Sequence, residues 1–271
     1  MTVTQVQMDI RWGDVRTNWD TASRLIDSQP GCDLYILPEM WSSGFQITPG
    51  DIPSDGKETL RWMERKARET NAAVCGSLAV TLQDGTCRNR MYFVTPDTVS
   101  YYDKRHLFGY GGEDRTYTAG EKRTIVEWRG TRFLLQICYD LRFPCFSRNR
   151  LVEMQGTVAA EYDAVIYVAS WPESRRHVWN TLLQARAIEN QCYVLAVNRV
   201  GQDPSCSYDG GTMAIDAYGR VMAEATDGME GTVTAGLDMD RLHKFRRKFP
   251  VLCDADGKTE YFNQNRLREY E

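Results

Sequence analysis

The stretch Phe133–Pro144, FLLQICYDLRFP, begins as an apolar run and turns polar directly after a cysteine. Its first part is typical of a buried β-strand, and Asp140 and Arg142 follow within four residues of Cys138. A free cysteine within an apolar run is usually a buried packing residue. Here the cysteine ends the run, and in open α/β sheets ligands bind beyond the carboxyl ends of the strands. Cys138 therefore has two interpretations, a core residue or a nucleophile, and its partners elsewhere in the chain must decide.

Short β-rich runs alternate with longer amphipathic segments along the rest of the chain. Helical periodicity occurs in four segments, residues 15–29, 60–70, 147–154 and 174–190. Turn signals typical of hairpins occur at Asp84-Gly85, Arg129-Gly130 and Tyr218-Gly219. The alternation of strands and helices predicts a layered α/β fold, and the hairpins predict mixed rather than purely parallel sheets.

The 271 residues contain no linker, low-complexity tract or convincing internal repeat, so we expect a single domain over residues 1–271. The C-terminal segment, residues 238–271, is more polar and carries a basic cluster at residues 241–248. We expect this cluster to be a solvated helix end or a contact in a dimer. A binding face for another partner is the alternative.

Composition and charge narrow the class of protein. An apolar content of 42% and a charged content of 26% are typical of a soluble globular chain. A net charge of −4 argues against a nucleic-acid binder, which needs a basic surface. No apolar stretch is long enough to cross a membrane, and the N-terminus lacks the pattern of a secretory signal. We therefore expect a cytoplasmic protein that binds neither nucleic acid nor membrane.

The cysteines and histidines show no metal-binding spacing. There are eight cysteines without a C-x-x-C pair and three histidines without an H-E-x-x-H motif. In a chain of this length without a secretory signal, scattered cysteines are expected to be reduced thiols. No metal or other cofactor is expected.

Two further strand-like runs end in a charged residue, as the run before Cys138 ends in a thiol. Residues 34–39, LYILPE, end in Glu39, and residues 99–104, VSYYDK, end in Lys104. Each residue alone is usually a helix cap or a solvated side chain. Parallel neighbouring strands, however, would bring all three to one rim of a sheet. A carboxylate there can accept the thiol proton, and an ammonium can stabilise a thiolate whose reference pKa is about 8.5.

A cysteine–histidine pair is the alternative arrangement for an activated thiol. Of the three histidines, His106 lies closest to a candidate strand end, two residues after Lys104. The other two lie far from these strand ends in the sequence. The combination of Glu39, Lys104 and Cys138 is therefore the favoured site.

Three segments resemble the signature segments of the nitrilase superfamily of carbon–nitrogen hydrolases, in the same order. They are LPEMWSSGF (37–45), YDKRHLF (102–108) and LLQICYDLRFP (134–144), and the similarity continues through residues 171–201 and 208–225. The segments YYDKRHLF (101–108), ICYDLRFP (137–144) and ARAIENQ (185–191) are most similar to bacterial omega-amidases. Those enzymes hydrolyse 2-oxoglutaramate and related omega-monoamides of dicarboxylates.

The resemblance implies a four-layer α-β-β-α sandwich that forms homodimers and needs no metal. It implies that Cys138 is the nucleophile, which forms a thioester, and that Glu39 acts first as general base and then as general acid. Lys104 would stabilise the oxyanion together with a backbone N–H, that of Tyr139. A second glutamate, matching Glu113 in GYGGEDRTYTAG (109–120), would position substrate or water. A solvated loop carboxylate is the alternative for Glu113.

An omega-monoamide carries a carboxylate at its far end, which a guanidinium can bind through two parallel hydrogen bonds. Arg142 is the nearest candidate, although it can instead pair with Asp140 or cap the following helix. Aromatic side chains in the neighbouring loops either line the pocket or pack beneath it: Phe45, His106, Phe108, Tyr139 and Trp171.

Two other functions remain open. One is another hydrolase of the superfamily, acting on N-carbamoyl compounds or on nitriles, because the same three residues serve all of these reactions. The other is a non-catalytic binding protein on the same fold. The presence of Glu39, Lys104 and Cys138 together argues against the binding protein.

Overall fold

The computed structural model describes residues 1–46, 56–154 and 156–255, which contain sixteen strands and five α-helices. The strands are β1 (Thr2–Gln7), β2 (Leu34–Ile36), β3 (Ala73–Thr81), β4 (Cys87–Val94), β5 (Val99–Asp103), β6 (Ile125–Trp128), β7 (Thr131–Ile137), β8 (Leu151–Met154), β9 (Thr157–Ala160), β10 (Ala164–Val168), β11 (Tyr193–Val197), β12 (Val200–Gln202), β13 (Ser207–Asp209), β14 (Met213–Ile215), β15 (Val221–Glu224) and β16 (Gly231–Gly236). The helices are α1 (Val15–Asp27), α2 (Lys57–Thr70), α3 (Pro144–Ser147), α4 (Arg176–Asn190) and α5 (Met239–Lys248).

Twelve of these strands form two six-stranded sheets. The first sheet has the order β16-β1-β2-β3-β4-β5 and the second has the order β15-β14-β11-β10-β7-β6. Each sheet combines parallel pairs at its centre, β1–β2–β3 and β7–β10–β11, with antiparallel pairs at its edges. The mixed sheets predicted from the glycine turns are therefore confirmed.

The two sheets lie face to face between helices. One face of the first sheet packs against α1 and α2 in a core that includes Ile26, Trp62 and Met63. Its other face meets the second sheet, where the Phe93 and Phe133 ring centroids are 5.8 Å apart. Helix α4 packs against β11 and β14 of the second sheet. The fold is the predicted four-layer α-β-β-α sandwich.

The prediction of a helix over residues 147–154 is wrong. Pro144 begins the single turn α3, and residues 151–154 form β8, which pairs with β9 in a separate hairpin. Between them, the Asn149 side-chain amide donates to the backbone oxygens of Tyr162 and Asn190, both at 3.0 Å. These contacts hold the chain to its neighbours and compete with the backbone bonds of a helix.

The C-terminal basic cluster lies largely on α5, which begins after Asp238, whose carboxylate accepts the Arg241 N–H at 2.9 Å. Arg246 is not solvated as expected for such a cluster, because it binds Asp163 at 2.8 Å and the Tyr162 carbonyl at 2.9 Å. Residues 256–271 of the predicted polar tail lie outside the described residues, and the dimer contact stays a prediction. No helix in the described part of the chain is both long enough and apolar enough to cross a membrane.

Candidate active site

The predicted residues come together between the two sheets. Glu39 lies just beyond β2 and Lys104 directly follows β5, and both strands belong to the first sheet. Cys138 directly follows β7 of the second sheet. All three residues were expected at one rim of a single sheet. This is wrong for Cys138, because the sandwich brings the end of a strand from the facing sheet to the same place.

Cys138 lies at a sharp bend between strand and helix. It has φ +44° and is the first residue of the 3-10 helix Cys138–Arg142. A non-glycine residue in this left-handed region is strained and persists only when its surroundings hold it. The bend exposes the thiol to a cavity while the preceding strand remains in the core.

The carboxylate of Asp140 holds this bend. It accepts the Ile137 N–H at 3.0 Å, the Tyr102 hydroxyl at 2.8 Å and the His106 N–H at 2.9 Å, and it is fully buried. These bonds tie the nucleophile turn to β5 and to the loop after Lys104. Asp140 therefore fixes the position of Cys138 relative to Lys104.

Lys104 lies between two glutamates in a fully buried cluster. Its Nζ donates to Glu39 Oε1 at 2.8 Å and to Glu113 Oε2 at 2.8 Å, and all three side chains have no exposed surface. The Asn89 amide nitrogen bridges the same carboxylates, with 2.7 Å to Glu39 Oε1 and 2.9 Å to Glu113 Oε1. The burial of Glu113 excludes a solvated loop carboxylate.

Backbone N–H groups fix the other carboxylate contacts. Glu39 Oε2 accepts the Ser170 N–H at 2.9 Å, from the segment after β10 of the second sheet. Glu113 Oε2 accepts the Phe108 N–H at 2.6 Å. Both carboxylates are therefore held by the backbone as well as by Lys104 and Asn89.

The cluster controls the protonation of the thiol. Burial, and next the neighbouring Glu39, raise the pKa of Cys138 well above its usual value, while Lys104 lowers it only in part. Burial also raises the pKa of Glu113, which Lys104 partly offsets. Two carboxylates share one ammonium, so the cluster is not positive overall. Lys104 favours the thiolate, as expected, but burial and Glu39 outweigh this effect, so a base is needed to take the thiol proton.

A cavity of about 320 Å³ opens above Cys138. Cys138 lines this cavity, whereas Glu39, Lys104 and Glu113 lie behind it without exposed surface. Of the aromatic residues predicted to surround the substrate, four line the cavity: Phe45, Phe108, Tyr139 and Trp171. Among the described residues, His106 does not line the cavity. Its ring binds Asp140 at 2.8 Å and stacks on Phe143 with ring centroids 3.9 Å apart.

Arg142 also lines the cavity. Its guanidinium carbon lies 5.1 Å from the Trp171 ring centre and 6.0 Å from that of Tyr139. Within the described residues it makes no ion pair with Asp140, whose oxygens are occupied by the contacts given above. The pairing of Arg142 with Asp140 thus finds no support, and its contact with a substrate carboxylate stays a prediction.

Three residues of the site were missed in the sequence. Asn89 lies within β4, buried between the half-buried Arg88 and Arg90, and nothing in the sequence separates it from an ordinary strand residue. Asp140 was considered only as a possible partner of Arg142. Arg175 lines the cavity, but nothing in the segment WPESRR separates it from a solvated arginine.

Comparisons with known proteins find relatives over nearly the whole chain. A family model described as carbon-nitrogen hydrolase matches residues 2–247. The omega-amidase YafV of Yersinia enterocolitica is 40% identical over 94% of this chain and 96% of the relative. The 2-oxoglutaramate amidase of Bacillus subtilis is 32% identical over 93% of this chain and 96% of the relative. A solved structure from Xanthomonas campestris, described as a CN-hydrolase superfamily protein with an arsenic adduct in its active site, has 40% identity and a TM-score of 0.89, over 96% of this chain and 98% of that chain.

Proposed function

Because the chain belongs to the carbon–nitrogen hydrolase family, we propose that it is an omega-amidase that hydrolyses a small omega-monoamide of a dicarboxylate. Substrates of this class are 2-oxoglutaramate and succinamate, and the products are the free acid and ammonia. The observation that carries the proposal is the thiol of Cys138, which faces the cavity with a buried glutamate–lysine–glutamate cluster directly behind it.

In the first step, the Cys138 sulfur attacks the amide carbon while the thiol proton passes to Glu39. The raised pKa of Cys138 supports proton removal by a general base during attack, since little thiolate exists beforehand. The new sulfur–carbon bond converts the carbonyl to a tetrahedral intermediate with a negative oxygen. Covalent catalysis separates the loss of ammonia from the attack of water.

Two donors are suited to this oxyanion. A lysine ammonium carries three hydrogens, and the two contacts from Lys104 to Glu113 can share one of them, which leaves one for the substrate. The Tyr139 N–H lies in the first turn of the 3-10 helix, where N–H groups have no partner within the helix. Preorganised donors of this kind are often the largest single contribution to catalysis.

The intermediate collapses when the carbon–nitrogen bond breaks and Glu39 returns the proton to the departing nitrogen, which leaves as ammonia. The acyl group remains on Cys138 as a thioester. Water then attacks the thioester carbon while Glu39 takes a proton from the water. Breakage of the carbon–sulfur bond releases the acid, and the proton restores the Cys138 thiol. Glu113, held through Lys104 and Asn89, positions these groups.

At the far end of the substrate, Arg142 binds the carboxylate. Its place on the cavity wall and its lack of an acidic partner among the described residues support this role. We expect Arg142→Ala to raise KM for dicarboxylate monoamides more than for neutral amides. An equal effect on both substrates would return Arg142 to a structural role.

The protein is further proposed to act in the cytoplasm as a homodimer, with residues 238–271 in the contact. Light scattering of the purified protein measures the mass directly. A monomeric mass at micromolar concentration would contradict the dimer.

The test of the activity is ammonia release from a panel of 2-oxoglutaramate, succinamate, glutamine, an N-carbamoyl amino acid and an aliphatic nitrile. Preference for the first two supports the omega-amidase. Activity only on the carbamoyl compound or the nitrile would keep the proposed chemistry but overturn the substrate class. Cys138→Ala is expected to abolish turnover while the fold is retained, and ammonia release by that variant would contradict the mechanism.

A further inference from the structure

A second guanidinium that has no acidic partner among the described residues lies on the cavity wall. Arg175 ends the 3-10 turn Glu173–Arg175 that precedes α4, and it is half-buried. Its guanidinium carbon lies 5.1 Å from the Phe108 ring centre and 5.7 Å from that of Tyr110. Within residues 1–46, 56–154 and 156–255, this guanidinium makes no ion pair. A half-buried charge of this kind is stabilised when a ligand of opposite charge binds it.

The turn that carries Arg175 is held toward the same wall as Arg142. The indole nitrogen of Trp171 donates to the Arg175 carbonyl at 2.9 Å. The Trp171 ring in turn lies beneath the Arg142 guanidinium. One tryptophan therefore contacts the backbone of Arg175 and the guanidinium of Arg142, and both arginines line the same cavity.

The acid on this wall does not neutralise Arg175. Asp203 also lines the cavity, but its Oδ1 accepts the Ser205 and Cys206 N–H groups at 2.7 and 2.8 Å. Its Oδ2 accepts the Tyr208 hydroxyl at 2.5 Å. These contacts hold Asp203 against its own turn. Within the described part of the chain, it makes no ion pair with Arg175.

The far end of a substrate therefore meets two cations that make no ion pair in the described part of the chain, and one acid whose oxygens already accept hydrogen bonds. A carboxylate is attracted to this region, whereas an ammonium group beside that carboxylate is repelled by the same cations. Glutamine has such an α-ammonium group, and the corresponding monoamides of simple or 2-oxo dicarboxylates do not. The charge on the cavity wall thus distinguishes these two classes of amide.

We infer that Arg175 is a specificity-determining residue, which binds the distal carboxylate together with Arg142 and rejects omega-amides that carry an α-ammonium group. This inference rests on the proposed function. Beyond the proposed function, the inference states that charge excludes glutamine and that Arg175 causes this exclusion.

The test compares glutaramate with glutamine, because the two differ only in the α-ammonium group. The measured quantity is the ratio of kcat/KM for glutaramate to kcat/KM for glutamine, from ammonia release. Arg175→Met, which retains the length and much of the packing of the side chain, is expected to lower this ratio about tenfold, the size of one charge interaction in a partly desolvated site. KM for glutaramate should rise while kcat changes little.

Two control variants separate charge from packing. Arg175→Lys keeps the charge and should keep most of the ratio. Arg115→Met removes an equal charge from an exposed residue of the loop after Phe108, outside the cavity lining, and should leave the ratio unchanged. A neutral aliphatic amide measures any general damage to the site.

The outcomes separate this inference from the proposed function. If the wild-type protein hydrolyses glutaramate and Arg175→Met leaves the ratio unchanged, the inference is wrong and the omega-amidase stands. The same holds if Arg175→Met slows all substrates equally, the neutral amide included. If the wild-type protein does not hydrolyse any dicarboxylate monoamide but does hydrolyse another amide or a nitrile, the proposed function fails and the inference fails with it.

Discussion

Two clusters of charge, each built on buried acids, lie at opposite ends of the neighbouring parallel strands β7 and β10. At the starting end, Asp163 binds Arg132 at 3.0 Å and Arg246 at 2.8 Å, so one acid faces two cations. At the other end, beyond Cys138, Glu39 and Glu113 share the single cation Lys104. The numbers of acids and cations are thus reversed between the two ends.

This reversal shows in the protonation of the acids. Burial alone would raise the pKa of Asp163, but Arg132 and Arg246 outweigh it and hold the pKa below its usual value. Burial raises the pKa of Glu113, and Lys104 does not fully offset it. An acid with excess cations keeps its charge and serves as a permanent contact, whereas acids in excess over their cation can gain or lose a proton during a reaction. The first cluster is suited to hold the fold and the second to move protons.

The largest expected effect that separates the clusters is that of Glu39→Gln. This change keeps the size of the side chain but removes the base, so kcat should fall by about 10²–10⁴-fold. Because the new amide nitrogen faces a buried donor, the unfolding free energy should also fall, by about 1–3 kcal/mol. Glu113→Gln is the matched control in the same cluster and should cost less in kcat, because Glu113 positions groups without taking the thiol proton. Equal losses of kcat in the two variants would contradict the division of roles.

Lys104→Met leaves two buried carboxylates without a cation, and should cost about 3–5 kcal/mol of unfolding free energy as well as activity. The pKa of Glu113, already raised, should rise further. A carboxyl group with a raised pKa in the folded state favours folding below its unfolded pKa of about 4.3, and this contribution is lost as pH rises. Urea unfolding at several pH values should therefore show the variant regaining stability toward pH 4.

Lys66→Met is the control for this prediction. It removes a cation that pairs with two exposed acids and should cost at most about 1 kcal/mol of unfolding free energy.

Asp163→Asn should show the opposite pH dependence. Loss of the charged acceptor for two arginines should cost about 2–3 kcal/mol, with kcat of the folded enzyme unchanged. Because the folded pKa of Asp163 is lowered, its contribution is complete above the unfolded pKa of about 3.9 and is lost as pH falls through the folded pKa. The stability gap between wild type and variant should therefore narrow only below about pH 4. A gap that narrows between pH 5 and 7 would contradict this assignment.

Asn89→Ala has the smallest expected effect. It removes one amide that donates to both glutamates and should cost about 1–2 kcal/mol in unfolding free energy. Because Glu39 then loses one of its fixed contacts, kcat should fall by about tenfold, less than in Glu39→Gln. A loss as large as that of Glu39→Gln would mean that Asn89 itself contacts the reacting atoms.

The sequence predicted the layers and the residues at the strand ends, and these have a common physical origin. Hydrophobic periodicity and glycine turns are local, and they indicate the α/β layers and the mixed sheets. Glu39, Lys104 and Cys138 stood out because each ends an apolar run with a polar or reactive group. The position of Cys138 in the sheet that faces Glu39 and Lys104 could not be predicted, since it depends on packing between segments far apart in the chain.

The remaining errors have the same long-range cause. Residues 147–154 have helical spacing, but contacts of Asn149 with Asn190 and Tyr162 decide their conformation. The role of Asn89 depends on two glutamates, one 50 and one 24 residues away in sequence. Arg175 stands out only because it has no acidic partner among the residues that the structure describes, which no local pattern in the sequence shows.

The bond from the Ser170 N–H to Glu39 joins residues 131 positions apart and crosses from one sheet to the other. A folding intermediate in which either sheet has formed alone can have native secondary structure, but it has no oriented base beside its thiol. Contacts of such large sequence separation form slowly, so during refolding the return of activity should lag behind the return of circular dichroism. The docking of the two sheets thus completes the contacts of the base, and we expect hydrolytic activity only after it.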